Sequence, residues 1–200
     1  PYEKITGDRM ATCRIEVDGQ GTCTAFLISE NGLLLTARHC VEDEGEVILN
    51  FTKIKKPGYS NIQAKVIYYP KNPNDDYAIL KTQSNLSIKP FKLAARVKDP
   101  DLYNPYVTGI GYPQGKDQAY DNNNNVRIYN IESDSTVFEI QEIYKGMSGG
   151  PVIDNETKEV IGIISWKVGG SQFMDIEAAK KYGVIITQGR DTEGLSYAEK

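Results

Sequence analysis

The sequence predicts an all-β protein, and three observations carry that expectation. Short runs of alternating apolar and polar residues recur along the whole chain. Clusters of turn-forming residues separate those runs, and only one segment shows helical spacing.

The first run, "ATCRIEV" at 11–17, places Cys13, Ile15 and Val17 on one face and Thr12, Arg14 and Glu16 on the other. "TAFLIS", "GLLLTA", "EVILNF", "QAKVIYY" and "YAILK" follow, punctuated by "DGQG", "SENG" and "NPNDD". Residues 82–105, "TQSNLSIKPFKLAARVKDPDLYNP", are polar and proline-dotted, which suits a connector between two halves. Beyond it come "YVTGIG", "NVRIYNI", "TVFEI", a strand beginning "PVID", "EVIGIISW" and "GVIIT". "DNNNN" and "DNETK" mark turns there, with the Asn run at 122–125 as a hairpin tip. The helical candidate is "MDIEAAKKY", 174–182. About a dozen short strands at this spacing indicate a sandwich or barrels rather than an α/β sheet.

Two hundred residues suffice for one sizeable domain or two small barrels sharing an interface. A net charge of −4 argues against a nucleic-acid surface or an anionic membrane patch. Lys53, Lys55 and Lys56 fit a solvated loop. No apolar run approaches the roughly 20 residues of a membrane helix, so no membrane insertion is expected. No cysteine or histidine cluster suggests a metal, and no cofactor is implied. The chain opens at Pro1 without an apolar leader, which fits either a removed signal or propeptide or a piece of a longer protein.

Chemistry concentrates in "YKGMSGGPV", 144–152, where glycines bracket Ser148. A nucleophilic serine needs a base within reach and donors aimed at the oxygen that turns negative. The backbone N–H groups of Gly146 and Ser148 would be those donors, while Gly149 and Gly150 let the chain turn sharply. The sequence has one histidine to act as base, His39 in "LLLTARHC", directly after an apolar strand. Cys23 and Cys40 bracket a strand–turn–strand unit whose ends lie side by side, so a disulfide is natural there; two reduced core cysteines are the alternative. Asp76 in "NDDYAILKT" is the candidate acid, on the face of Ala78 and Leu80, with Asp75 as competitor. Both could instead cap a turn. Cys13 alternates with Ile15 and Val17, which suits a buried inert thiol. Asn50, Asn85 and Asn155 each begin an N-x-S/T sequon, relevant only in a eukaryotic secretory pathway.

"TARHC", "DYAIL" and "GMSGGPV", in the order His, Asp, Ser, resemble the chymotrypsin-type (trypsin-like) serine protease family. With "VTGIGYPQGK" at 107–116, the chain is most similar to the bacterial glutamyl-endopeptidase branch, over about residues 8–187. The resemblance implies two six-stranded antiparallel β-barrels in a single protease domain spanning 1–200: barrel one about 8–90, barrel two about 105–190, and the triad in the cleft between them. His39 and Asp76 come from the first barrel and Ser148 from the second. It also implies a serine endopeptidase that acts on proteins or peptides through an acyl-enzyme, as a secreted or extracytoplasmic monomer. A cytoplasmic domain of a larger protein is the alternative location. A catalytically silent protease-fold binding module is the rival function.

Specificity follows the resemblance less closely. Ser165, Trp166 and Lys167 match the strand that pairs with substrate, and Gly183 matches a pocket wall. Glutamyl endopeptidases place histidine on that strand, where this chain has Ile164 and Ser165. Glu142 sits where trypsin-like members carry their specificity determinant, and a carboxylate there favours Lys or Arg before the cut bond. Lys145 and Lys167 at the entrance point instead to acidic residues; Glu142 tips the expectation to a basic one. Met147 replaces the aspartate that pairs with a freed N-terminal amine in animal enzymes, so the oxyanion hole here is expected not to depend on that switch. The segment 167–182 is expected to form one rim of the pocket.

Overall fold

The computed structural model describes residues 10–17, 21–69, 71, 76–93, 107–112, 120–122, 127–132, 135–139, 146–164 and 184–187. The first half is a closed antiparallel barrel. Its strands are β1 (Thr12–Val17), β2 (Gly21–Leu27), β3 (Leu33–Thr36), β4 (Glu46–Asn50), β5 (Ile62–Tyr68) and β6 (Ala78–Thr82). They run in the order β1-β2-β3-β6-β5-β4, and β4 pairs back onto β1. Closure leaves no strand edge to be covered.

The alternation in β1 works as expected. Cys13, Ile15 and Val17 enter the barrel core, while Arg14 and Glu16 form an ion pair at 3.0 Å on the other face. Thr12 departs from the pattern: it is fully buried, and its carbonyl accepts from the Tyr112 hydroxyl of the second half. Phe26, Leu34, Leu49, Ile79 and Leu80 fill the interior and are fully buried. Cys13 is an unpaired, buried thiol. Desolvation there pushes its pKa well up, partly offset by a hydrogen bond with the backbone of Ala25.

One helical turn, α1 (Arg38–Val41), follows β3 and carries His39. Cys40 and Val41 are buried beneath the turn. Arg38 pairs with Glu42 one turn on at 3.3 Å and stacks 4.7 Å above the Tyr69 ring. Four residues are too few for a helical period to show in a sequence.

The second half forms one antiparallel sheet among the described residues. Its strands are β7 (Val107–Gly111), β8 (Tyr120–Asn122), β9 (Arg127–Glu132), β10 (Ser135–Glu139), β11 (Pro151–Asp154), β12 (Val160–Ile164) and β13 (Val184–Thr187). The order is β8-β7-β11-β12-β13-β10-β9. The connector is less solvated than its polar composition suggests. Leu86, Ile88 and Phe91 are buried, Phe91 meets Phe26 edge-on at 5.7 Å, and the Phe91 amide donates to Leu27 O. Lys92 and Leu93 then reach β12: the Val160 amide donates to Lys92 O at 2.8 Å, and Leu93 bridges Val160 in parallel. Apolar residues spaced among polar ones thus strap the segment to the barrel.

Tyr112 joins the two halves. It is fully buried, its hydroxyl donates to Thr12 O and accepts from the Thr52 hydroxyl, both at 3.2 Å. Burial pushes its pKa from 10.0 up to about 12. No helix among the described residues is long and apolar enough to cross a membrane.

Candidate active site

Strand register brings His39 to Asp76. β3 pairs antiparallel with β6, with Thr36 opposite Ala78. The chain leaving Thr36 and the chain arriving at Ala78 therefore run side by side, and His39 on one meets Asp76 on the other. The Asp76 carboxylate is 1% exposed and accepts two bonds from His39, from Nδ1 at 2.7 Å and from the backbone amide at 2.9 Å. An ionised carboxylate only accepts, so Nδ1 carries the proton, and in the neutral ring Nε2 is the nitrogen with the free lone pair. The imidazole itself is 24% exposed, buried on its acid side and open to a reactant. Of the two candidate acids, Asp76 makes these contacts, while Asp75 lies outside the described residues.

Cys23 and Cys40 form a disulfide with Cα–Cα 6.3 Å, which removes the reduced alternative. It ties the turn after His39 to β2. The residue after Cys23 meets the serine turn, because the Thr24 amide donates to Ser148 O at 2.8 Å. His39 and Ser148, remote in sequence, are thereby anchored to adjacent residues of one strand.

The serine turn shows why glycines surround it. Gly150 N donates to Met147 O at 3.0 Å, closing a four-residue turn with Ser148 second and Gly149 third. Gly149 has φ +91°, the left-handed value that the third position of a type II turn requires. A Cβ on Gly149 would also lie 2.1 Å from Thr24 O and 2.4 Å from Thr36 Oγ1. The turn is pressed so closely on the first barrel that only a hydrogen fits. Gly149 N donates to Ile164 O and Ile164 N to Gly150 O, which clamps the other side to β12. With the Gly149 and Gly150 amides so engaged, neither can serve a substrate oxygen. Met147 is fully buried against Gly111, as a packing residue.

Glu142, Lys145, Ser165, Trp166, Lys167 and Gly183 lie outside the described residues, as do Pro1 and the helical candidate at 174–182. Sequence reasoning missed Thr24, Thr36 and Tyr112, three buried polar residues around the serine turn. The available signal was a polar residue inside an apolar strand, which must find an internal partner. Among the described residues no group of His, Cys, Asp and Glu side chains could hold a metal ion.

A closed barrel, a second antiparallel sheet, an acid-braced histidine and a glycine-bracketed serine, with Cys40 Sγ 3.9 Å from both His39 Nε2 and Ser148 O, are the layout of a chymotrypsin-like protein. The chain belongs to the trypsin-like peptidase family: the model of the trypsin-like peptidase domain matches residues 23–163. A "Probable periplasmic serine endoprotease DegP-like" of Ectopseudomonas mendocina is 32% identical over 153 residues, covering 74% of this chain. The chain spans 30% of that relative's length. Among solved structures, a Glu endopeptidase superposes with a TM-score of 0.67 at 19% identity, covering 98% of this chain and 95% of its own. An inactivated protease paralogue of the scabies mite, S-D1, reaches 0.71 at 14% identity, with 98% and 96% covered. At such identities these structures establish the fold.

Proposed function

We propose that the chain is the catalytic domain of a serine endopeptidase that works through His39, Asp76 and Ser148. One observation carries the proposal: a buried carboxylate holds His39 by both its amide and Nδ1, while Cys40 Sγ lies 3.9 Å from both His39 Nε2 and Ser148 O, which supports Nε2 as the base for the serine of that turn. In the proposed reaction Ser148 Oγ attacks the substrate carbonyl as its proton passes to His39 Nε2. The amides of Gly146 and Ser148 receive the negative oxygen, and His39 returns the proton to the leaving amine. Water, deprotonated by the same imidazole, then releases the acyl group from Ser148. The choice of donors is supported by the engagement of the neighbouring Gly149 and Gly150 amides.

Strand order supports a second six-stranded barrel, with about 8–90 as the first, 82–105 as connector and about 105–190 as the second. If β8 and β9 are two parts of one strand, the second half reads in the same cyclic order as the first. Substrates are proteins or peptides. Glu142 points to Lys or Arg before the cut bond, with an acidic preference through Lys145 and Lys167 as the alternative. The periplasmic relative and the disulfide favour an extracytoplasmic site of action.

The test is covalent labelling with a fluorophosphonate probe, followed by a mixed peptide library. Labelling of the wild type and not of Ser148→Ala is expected. Absence of labelling in both would make the chain a silent binding module. Cleavage restricted to acidic residues would reverse the specificity assignment.

A further inference from the structure

The proposed chemistry leaves unused Thr24, which bonds to two carbonyls of the serine turn. Thr24 is fully buried on β2, one position after the disulfide cysteine. Its hydroxyl donates to Gly146 O at 2.8 Å and accepts from the Tyr112 amide at 3.0 Å. Its own amide donates to Ser148 O at 2.8 Å, and its carbonyl accepts from the Thr36 hydroxyl at 2.7 Å. One residue therefore holds the carbonyls of both Gly146 and Ser148. Peptide units are planar, so these bonds fix the units that carry the Met147 and Gly149 amides, which flank the unit carrying the Ser148 amide; the first of them also adjoins, across the Gly146 Cα, the unit carrying the Gly146 amide. Gly146 has φ +105° and no Cβ to restrict its rotation, so the restraint must come from outside. The branched threonine side chain, itself limited at χ1 and held by Tyr112, supplies it.

We propose that Thr24 is a positioning residue whose hydroxyl holds the Gly146–Met147 peptide unit, the link between the two units that carry the Gly146 and Ser148 amides, and so keeps both amides in place; this rests on the assignment of Ser148 as nucleophile. Thr24 touches no reacting atom. Its loss should weaken stabilisation of the developing oxyanion and leave substrate binding nearly intact.

Thr24→Val keeps the shape and removes the hydroxyl. With active sites titrated, kcat for a peptide amide should fall about 100-fold with KM within about threefold, the scale of losing one oxyanion donor. Affinity for a peptide aldehyde should fall in parallel with kcat, whereas affinity for the product acid should not. Thr24→Ser, which restores the donor, should recover kcat to within about fivefold of wild type. Amide hydrogen exchange over 146–150 should quicken in Thr24→Val while that of β3 and β6 stays unchanged. Should the valine variant fail to fold, Thr24→Ala carries the same comparisons. A kcat within threefold of wild type, or a serine variant as impaired as the valine one, overturns the assignment. A wild type that neither labels nor cleaves refutes the hydrolase proposal; the exchange experiment still decides Thr24, and unchanged protection of 146–150 overturns its role.

Discussion

Replacing Asp76 by asparagine alters one atom of the side chain and forces a conflict that the structure makes explicit. Asp76 accepts from the His39 amide at 2.9 Å and from Nδ1 at 2.7 Å, with its side chain 1% exposed. Asparagine has one oxygen and one NH2. If the oxygen keeps the His39 amide, the NH2 faces Nδ1, which must then give up its proton to Nε2 and so destroy the base. If the oxygen faces Nδ1, two donors oppose each other at the amide, at about 1–3 kcal/mol for a buried unsatisfied group. The imidazolium also loses its counter-charge, worth about 4 kcal/mol for charges near 4 Å apart at an effective dielectric of about 20. Together these terms amount to about 5–7 kcal/mol, or roughly 10⁴- to 10⁵-fold in rate. The assay is kcat on a peptide amide with folded protein verified by its melting transition. A kcat for Asp76→Asn within tenfold of wild type would refute the role given to this carboxylate.

Tyr112→Phe tests the bridge between the halves. Because burial raises the folded-state pKa from 10.0 to about 12, the unfolded chain loses its proton first as pH rises. The stabilisation is complete below pH 10 and declines as pH rises towards 12 and through it, by about 2–3 kcal/mol in all. Thermal unfolding across that window should show the decline in wild type and a flatter profile in Tyr112→Phe; equal slopes would contradict the titration. Gly149→Ala and Gly21→Ala separate backbone strain from collision, since both glycines have positive φ but only Gly149 is crowded. Gly21→Ala should cost about 1–2 kcal/mol and Gly149→Ala about 2–5 kcal/mol in chemical denaturation. Equal costs would mean that the close approach of the turn to Thr24 is not retained in solution.

Much of the first barrel was legible because alternation and burial coincide there: Cys13, Ile15 and Val17 point inwards as their spacing requires. The disulfide was legible too, since Cys23 and Cys40 bracket one strand–turn–strand unit. The choice of Asp76 over Asp75 rested on which face of the strand each would occupy, and the Thr36–Ala78 register brings Asp76 to the imidazole. Other features left no local trace. The turn α1 is shorter than a periodic signal, and β8 has three residues. The bonds from Thr24 to Gly146 and from Tyr112 to Thr24 span 122 and 88 residues. Such contacts depend on how the two halves meet, and sequence periodicity reports only the faces each half presents.

The most direct measurement is a crystal structure of the protein after reaction with a peptidyl phosphonate. The proposed mechanism requires phosphorus bonded to Ser148 Oγ, its oxygen about 2.7–3.1 Å from the Gly146 and Ser148 amides, and His39 Nε2 turned towards the adduct with Asp76 still behind it. Phosphorus on another residue, or an oxygen pointing to solvent away from both amides, would contradict it.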